Sequence, residues 1–96
     1  MEDLVYYTSL FDIYYSLLTA KQQSYFKDYY FDNLLLDEIS KNNNISKNAV
    51  SKEIKRVKEL LDNYEEKLGL YAKRKKLYET FKNDEDVLKK IEDIIL

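Results

Sequence analysis

An all-α fold follows from three features of this 96-residue chain. Proline is absent and glycine occurs once, so almost nothing interrupts a helix. Apolar residues recur at steps of three and four rather than two. The stretch from Leu36 to Leu61, LDEISKNNNISKNAVSKEIKRVKELL, reads as a short helix, a tight turn and a longer basic helix, which is a helix-turn-helix. The length suits one domain. Residues 1–96 are therefore expected to form a single helical domain of about five to six helices without a wing, with the helix-turn-helix at residues 36–61.

The first helix is expected from Asp3 to Leu18. Leu4, Tyr7, Phe11, Tyr14 and Leu18 form one apolar stripe along it, and Tyr6, Leu10, Ile13 and Leu17 form a second beside it. A terminal helix of a small domain normally buries one face, so the second stripe calls for another partner, most simply a second copy of the chain. Leu4, Tyr7, Phe11, Tyr14 and Leu18 are the expected dimer interface. Thr19 with Gln22 three residues later has the capping-box pattern, which starts a second helix after a very short connection. That helix runs from Ala20 to about Phe31. Its Tyr25, Phe26, Tyr29 and Tyr30 read as core rather than as a base-stacking platform, because only Lys21 and Lys27 lie near them in sequence.

Within the helix-turn-helix, the first helix runs from about Leu36 to Asn42 and buries Leu36 and Ile39. Asn42, Asn43 and Asn44 break it, and Asn44 can take the left-handed conformation where glycine is commoner. Ile45 fills the wedge between the helices. Ser46 caps the second helix, whose buried positions Val50, Ile54, Val57 and Leu61 are spaced by four, three and four. The opposite face carries Asn48, Ser51, Lys52 and Lys55 near the start of the helix, where a recognition helix meets base edges and phosphates. With Lys47 and Arg56 they are the candidate nucleic-acid contacts. A solvated structural hairpin with a basic face would present the same pattern.

The basic helix meets no breaker before Leu68, its buried stripe continues through Tyr64 and Leu68, and Gly69 is its expected C-cap. The next segment, LYAKRKKLYETFK, places Leu70, Leu77 and Phe81 on one side of a helix and exposes Lys73, Arg74, Lys75 and Lys76 as a second basic patch. Most such runs are solvated helix faces. Asn83 or Asp84 caps a last helix whose stripe of Val87, Leu88, Ile91, Ile94 and Ile95 ends in Leu96 and must dock on something.

Composition removes several chemistries. With no cysteine and no histidine there are no thiolates, imidazole bases or disulfides and almost no route to a structural zinc site, so no cofactor or metal is expected. The clustered carboxylates Asp37-Glu38, Glu65-Glu66 and Asp84-Glu85-Asp86 fall at helix starts or on exposed faces, and there is no glycine-rich phosphate loop. Catalysis is the weakest reading. No apolar run approaches the roughly 18–20 residues of a membrane span, and the N-terminus lacks the basic start of a signal peptide, so the expected location is cytoplasmic.

Net charge is −2, but it is unevenly spread. Residues 1–46 hold three bases and seven acids, net −4; residues 47–76 hold ten bases and five acids, net +5; residues 77–96 hold three bases and six acids, net −3. The basic block begins where the proposed recognition helix begins. A positive patch on an acidic body is a footprint for phosphates or for an acidic protein surface.

From about Leu10 to Tyr71 the chain also resembles the YlxM family of small bacterial helix-turn-helix proteins, related in this segment to region four of sigma factors. The shared landmarks are Leu18-Thr19 with Lys21-Gln22, Tyr29-Tyr30, Glu38-Ile39, Ile45-Ser46, Ala49-Val50, Ile54-Lys55-Arg56, and Tyr64-Glu65 before Leu68. Four positions depart from the family pattern: Leu35 for a capping Ser or Thr, Ser40 for a small Ala, Asn43 at a position usually aromatic, and Asn44 for the turn glycine. Leu35 leaves the first helix without its cap, typically a loss of about 1 kcal/mol. The resemblance implies an all-helical, dimeric, cytosolic protein, encoded beside signal recognition particle genes, that assists or regulates that targeting pathway. On this reading it binds the targeting GTPase or its RNA through Lys52, Lys55, Arg56 and the second basic patch. The alternative is a transcription regulator whose two recognition helices enter successive major grooves of duplex DNA, with Asn48, Ser51 and Lys52 towards bases and Lys47 and Lys55 towards phosphates. A third possibility is an interaction module in which the motif is only scaffold.

Overall fold

The computed structural model describes the backbone of residues 2–95 and the side chains of residues 4–95; Leu96, expected to end the last apolar stripe, lies outside the described residues. Six helices run in order, with no strand among the described residues: α1 (Glu2–Tyr14), α2 (Ala20–Phe26), α3 (Leu36–Asn43), α4 (Lys47–Leu68), α5 (Leu70–Thr80) and α6 (Glu85–Ile95). No helix among them is long and apolar enough to cross a membrane.

Local chemistry sets most of the boundaries. Thr19 Oγ1 accepts from Gln22 N–H at 3.1 Å, and Gln22 Oε1 accepts from Thr19 N–H at 2.9 Å, so two orphan donors at the start of α2 satisfy each other. The first helix is shorter than expected. It closes in a single 3-10 turn, Tyr15–Leu17, before Leu18 turns extended (φ −97°, ψ 153°). The second continues past Phe26 as a π-helical segment, Lys27–Phe31, in which Asp32 N–H donates to Lys27 C=O at 2.9 Å. Such a widened turn accommodates one extra residue without breaking the helix. Gly69 ends α4 in the left-handed region (φ 63°) and starts α5 directly. A Cβ there would touch nothing, so the backbone conformation alone favours glycine. Asp84 caps α6, its Oδ1 accepting from Val87 N–H at 3.1 Å.

The core is one stripe of α4 covered by the N-terminal segment, α2 and α3. Val57 and Leu61 pack with Leu10, Phe11, Tyr14 and Leu18 of the N-terminal segment and Phe26 of α2. Val50 and Ile54 pack with Tyr25 and Ile39, and Tyr30 lies against both groups. Phe11 and Phe26 stack with ring centroids 4.5 Å apart and planes 5° from parallel. These contacts overturn the expected dimer interface. Phe11, Tyr14 and Leu18 are only 3%, 1% and 5% exposed within a single chain, so they have no surface left for a partner. Tyr7 is half-buried and donates its hydroxyl to Asp62 on α4 at 2.7 Å, and of the five only Leu4 is exposed. The stripe that looked like a spare face is the inner one, because a 22-residue α4 offers α1 a full-length seam.

Two further expectations shift. Leu68 is exposed rather than part of the buried stripe, since the last turn of α4 runs beyond the core. Leu70 and Leu77 of α5 and Phe81, which caps its C-terminus, are likewise exposed. A radius of gyration of 15.8 Å exceeds the about 12–13 Å of a compact chain of this length, and the long axis is 49 Å against 25 and 24 Å.

The hinge between α4 and α5 is held by one carboxylate. Glu65 accepts from the Tyr14 hydroxyl at 2.7 Å and from the N–H groups of Tyr71 at 3.0 Å and Ala72 at 3.2 Å, and Leu70 N–H donates to the Tyr14 oxygen at 3.1 Å. A negative charge at the start of α5 complements its dipole. Burial and the bond to Glu65 push the Tyr14 hydroxyl above its ordinary value, which keeps it protonated and donating.

Because Phe11 is core, Phe11→Ala should lower unfolding free energy by about 3–5 kcal/mol in urea titrations followed by far-UV circular dichroism. A loss no larger than that of a surface substitution would show that the ring does not carry the core.

Candidate nucleic-acid interface

The recognition helix is positioned by α3 and a three-residue turn. Asn44 is left-handed (φ 57°, ψ 41°) and Ile45 N–H donates to Ser40 C=O at 3.1 Å, so asparagine performs the turn usually given to glycine. Ile45 packs against Tyr25, Ile39, Val50 and Ile54 and wedges the two helices apart. Ser46 caps α4 through Oγ, which accepts from Ala49 N–H at 3.0 Å.

The departures at Leu35, Ser40 and Asn43 are accommodated rather than disruptive. Leu35 has no side-chain acceptor, but Glu38 Oε1 accepts from Leu35 N–H at 3.0 Å, which is one half of a capping box. The buried Ser40 hydroxyl donates to Asp37 C=O at 2.8 Å. Asn43 replaces an apolar contact with polar ones: Nδ2 donates to Ile39 C=O at 2.8 Å, and Oδ1 receives Lys21 Nζ of α2 at 3.5 Å.

Burying Val50, Ile54, Val57 and Leu61 turns the opposite side of α4 outward. Lys47, Asn48, Ser51, Lys52, Lys55 and Arg56 are all exposed, and none makes a side-chain hydrogen bond or ion pair among the described residues. On α3, by contrast, the exposed Lys41 pairs with Asp37 at 3.5 Å. Lys47, Lys52, Lys55 and Arg56 thus have no ion-pair partner among the described residues, and an anion could pair with them without first breaking an internal contact.

The second basic patch is not equivalent. Lys73 Nζ donates to Leu68 C=O at 3.3 Å and the half-buried Arg74 donates to Ile95 C=O at 3.3 Å, so two of its four cations serve the C-terminal ends of α4 and α6. Lys75 and Lys76 project into solvent. A run of bases in sequence does not reveal this, because the carbonyls they satisfy belong to other helices.

What the sequence reading missed lies beside α4. Tyr29 is 38% exposed, and with Tyr30 and Leu36 it borders a cleft of about 190 Å³ completed by Ser51, Ile54, Lys55 and Lys58 of α4. The same three residues also border a wider groove of about 980 Å³ that reaches Leu35, Asp37 and Lys47. Lys58 Nζ lies 4.8 Å above the Tyr7 ring, which orients it along the edge of α4.

A family model describing helix-turn-helix proteins, YlxM / p13 like, matches residues 1–95. The chain belongs to this UPF0122 family. Among curated relatives, a UPF0122 protein of Bacillus pumilus is 44% identical over 86 residues, covering 90% of this chain and 72% of its own length. One from Ureaplasma parvum is 44% identical over 92 residues, covering 93% and 92%, and one from Listeria innocua is 47% identical over 73 residues, covering 73% and 66%. Family membership and the all-helical helix-turn-helix agree with the reading of residues 10–71.

The left-handed turn gives a direct test of how α4 is held. Asn44→Gly should raise the thermal midpoint, while Asn44→Ala should cost about 1 kcal/mol because alanine is less tolerant of the left-handed region than asparagine or glycine. An alanine variant as stable as the glycine one would mean that the turn does not need this conformation.

Proposed function

We propose that this protein is a cytosolic, nucleic-acid-binding accessory factor of the signal recognition particle pathway, which contacts the particle's RNA or its RNA–GTPase complex through the polar face of α4. The observation that carries the nucleic-acid part is the set of four exposed cations, Lys47, Lys52, Lys55 and Arg56, with no ion-pair partner among the described residues, on one helix of a chain whose net charge is −2. The acidic segments 1–46 and 77–96, net −4 and −3, disfavour phosphates and so bias the approach towards the basic block. The resemblance of residues 10–71 supports the choice of pathway.

A regulator of duplex DNA is the second reading, and one feature favours it. Asn48 and Ser51 occupy the front of α4 on the same exposed face as the cations, the arrangement in which short polar groups read base edges while flanking lysines grip phosphates. Binding to the protein's own upstream duplex, to the particle's RNA and to the RNA–GTPase complex, compared at two salt concentrations, separates the two. Preference for the RNA or its complex is expected; tight, competitor-resistant binding to the duplex would make the protein a regulator instead. The combined change of Lys52, Lys55 and Arg56 to Ala should weaken binding and flatten its dependence on log salt by about two to three units of slope, with the fold retained. An unaltered slope would remove α4 from the interface.

Self-association we place on the C-terminal helices instead of α1. Leu77 and Phe81 border an apolar hollow of about 390 Å³ edged by Lys73 and Lys76, and Ile94 on α6 is 82% exposed. Helix α5 carries four bases and one acid, whereas α6 carries four acids and two bases. Two copies related by a two-fold axis would bring Ile94 of one over Leu77 and Phe81 of the other, with opposite charges along the edges. Sedimentation velocity should report a dimer for the unaltered chain and a monomer for Ile94→Glu. A dimer that persists in that variant would place the contact elsewhere.

A further inference from the structure

The fold places an exposed aromatic ring against the basic face of α4, although the two are some two dozen residues apart in the chain and Tyr29 has only Lys21 and Lys27 as basic neighbours in sequence. We propose that Tyr29 and the cleft beside it form a stacking site for a single unpaired nucleobase, with Lys55 holding the adjoining phosphate. The proposal rests on the nucleic-acid reading above and narrows it to a strand whose bases are out of the helix stack.

Rigidity is the first observation. Tyr29 meets Tyr30 edge to face, with centroids 5.1 Å apart and planes at 83°. Tyr30 in turn stacks on Phe26 at 4.5 Å, and Phe26 on Phe11 at 4.5 Å. The ladder runs from the fully buried core to the surface, so the outermost ring is pre-positioned and little side-chain freedom remains to be lost when a base lands on it. The π-helical segment Lys27–Phe31 carries both tyrosines and sets this projection.

The chemistry of the cleft is the second. About 190 Å³ is below the roughly 300 Å³ at which sites for drug-sized ligands begin, which suits one ring system. Among the described residues no carboxylate borders it, whereas Lys55 and Lys58 do, together with the Ser51 hydroxyl and both tyrosines. Hydroxyls donate and accept, as the edge of a base requires, and ammonium groups meet phosphate. The Tyr29 hydroxyl makes no hydrogen bond among the described residues. Because Tyr29 also borders the wider groove lined by Lys47, the ring is a ridge shared by two hollows, each lined by a lysine of α4. A strand crossing the ridge would place a base on the ring and phosphates on either side. Bases in a duplex already stack on their neighbours and gain nothing from such a ring, so the site selects loops, bulges and single strands.

The test uses the full chain and three probes: a single-stranded RNA decamer carrying one 4-thiouridine, the DNA decamer of the same sequence with 4-thiothymidine, and the RNA annealed to its complement. Tyr29→Ala should weaken single-strand binding about ten-fold and leave duplex binding within two-fold, and Tyr29→Phe should restore it. Irradiation of the unaltered chain should cross-link the thio-base to the peptide containing Tyr29, a readout that does not depend on any variant folding. Preference for the RNA decamer over the DNA one would assign the strand as RNA; equal binding would assign the site to the base and phosphate alone. If Tyr29→Ala binds every probe like the unaltered chain and no cross-link reaches Tyr29, while the Lys52, Lys55 and Arg56 variant loses binding, the stacking site is overturned and the α4 interface stands. Should neither variant alter binding, both fall.

Discussion

Everything in this molecule depends on the burial of one stripe of α4. Val50, Ile54, Val57 and Leu61 are 0–6% exposed, and each neighbouring element exists in its place because it covers part of that stripe. Helices α1 and α2 cover its second half, and α3 with the end of α2 covers its first. At about 25 cal/mol per Å² of apolar surface removed from water, four aliphatic side chains of this size contribute on the order of 6–12 kcal/mol, comparable with the whole net stability of a small domain. Once that face is committed, the helix period leaves its opposite face no choice but solvent. The exposed cations are a consequence of packing as much as of composition.

The polar interactions refine this arrangement. Tyr14 and Glu65 tie the hinge at Gly69, so α5 leaves α4 at an angle set by hydrogen bonds from its own first turn. Asn44 and Ile45 set the angle between α3 and α4 by a backbone conformation and an apolar wedge. Both hinges lie at the ends of the same long helix, and both spare its middle. Burial, with the nearby charge of Asp32, raises the pKa of Asp28 in the π-helical segment, and the segment's tyrosines are what α4 meets.

Much of the architecture could be read directly. The spacing of four, three and four in α4, the capping box at Thr19, the left-handed turn at Asn44, the cap at Ser46 and the stop at Gly69 all depend on residues within a few positions of one another, where propensity and hydrogen-bonding geometry act locally. The polar face of α4 was legible for the same reason. Legibility failed where a stripe had two possible partners. Phe11, Tyr14 and Leu18 have a helical period that fits a subunit interface or an intramolecular seam equally well, and only the length of α4 and the stack of Phe11 on Phe26 decide it.

By itself, then, the sequence determined an all-helical chain, the positions of most of its turns and caps, and the inward face of α4 from Val50 to Leu61, because each of these follows from short-range chemistry. The tertiary structure alone decided three other things: that α1 is core, that Lys73 and Arg74 close the ends of α4 and α6, and that Tyr29 stands beside Lys55. Each joins residues distant in the chain, and no periodicity within a helix records which distant face it will meet.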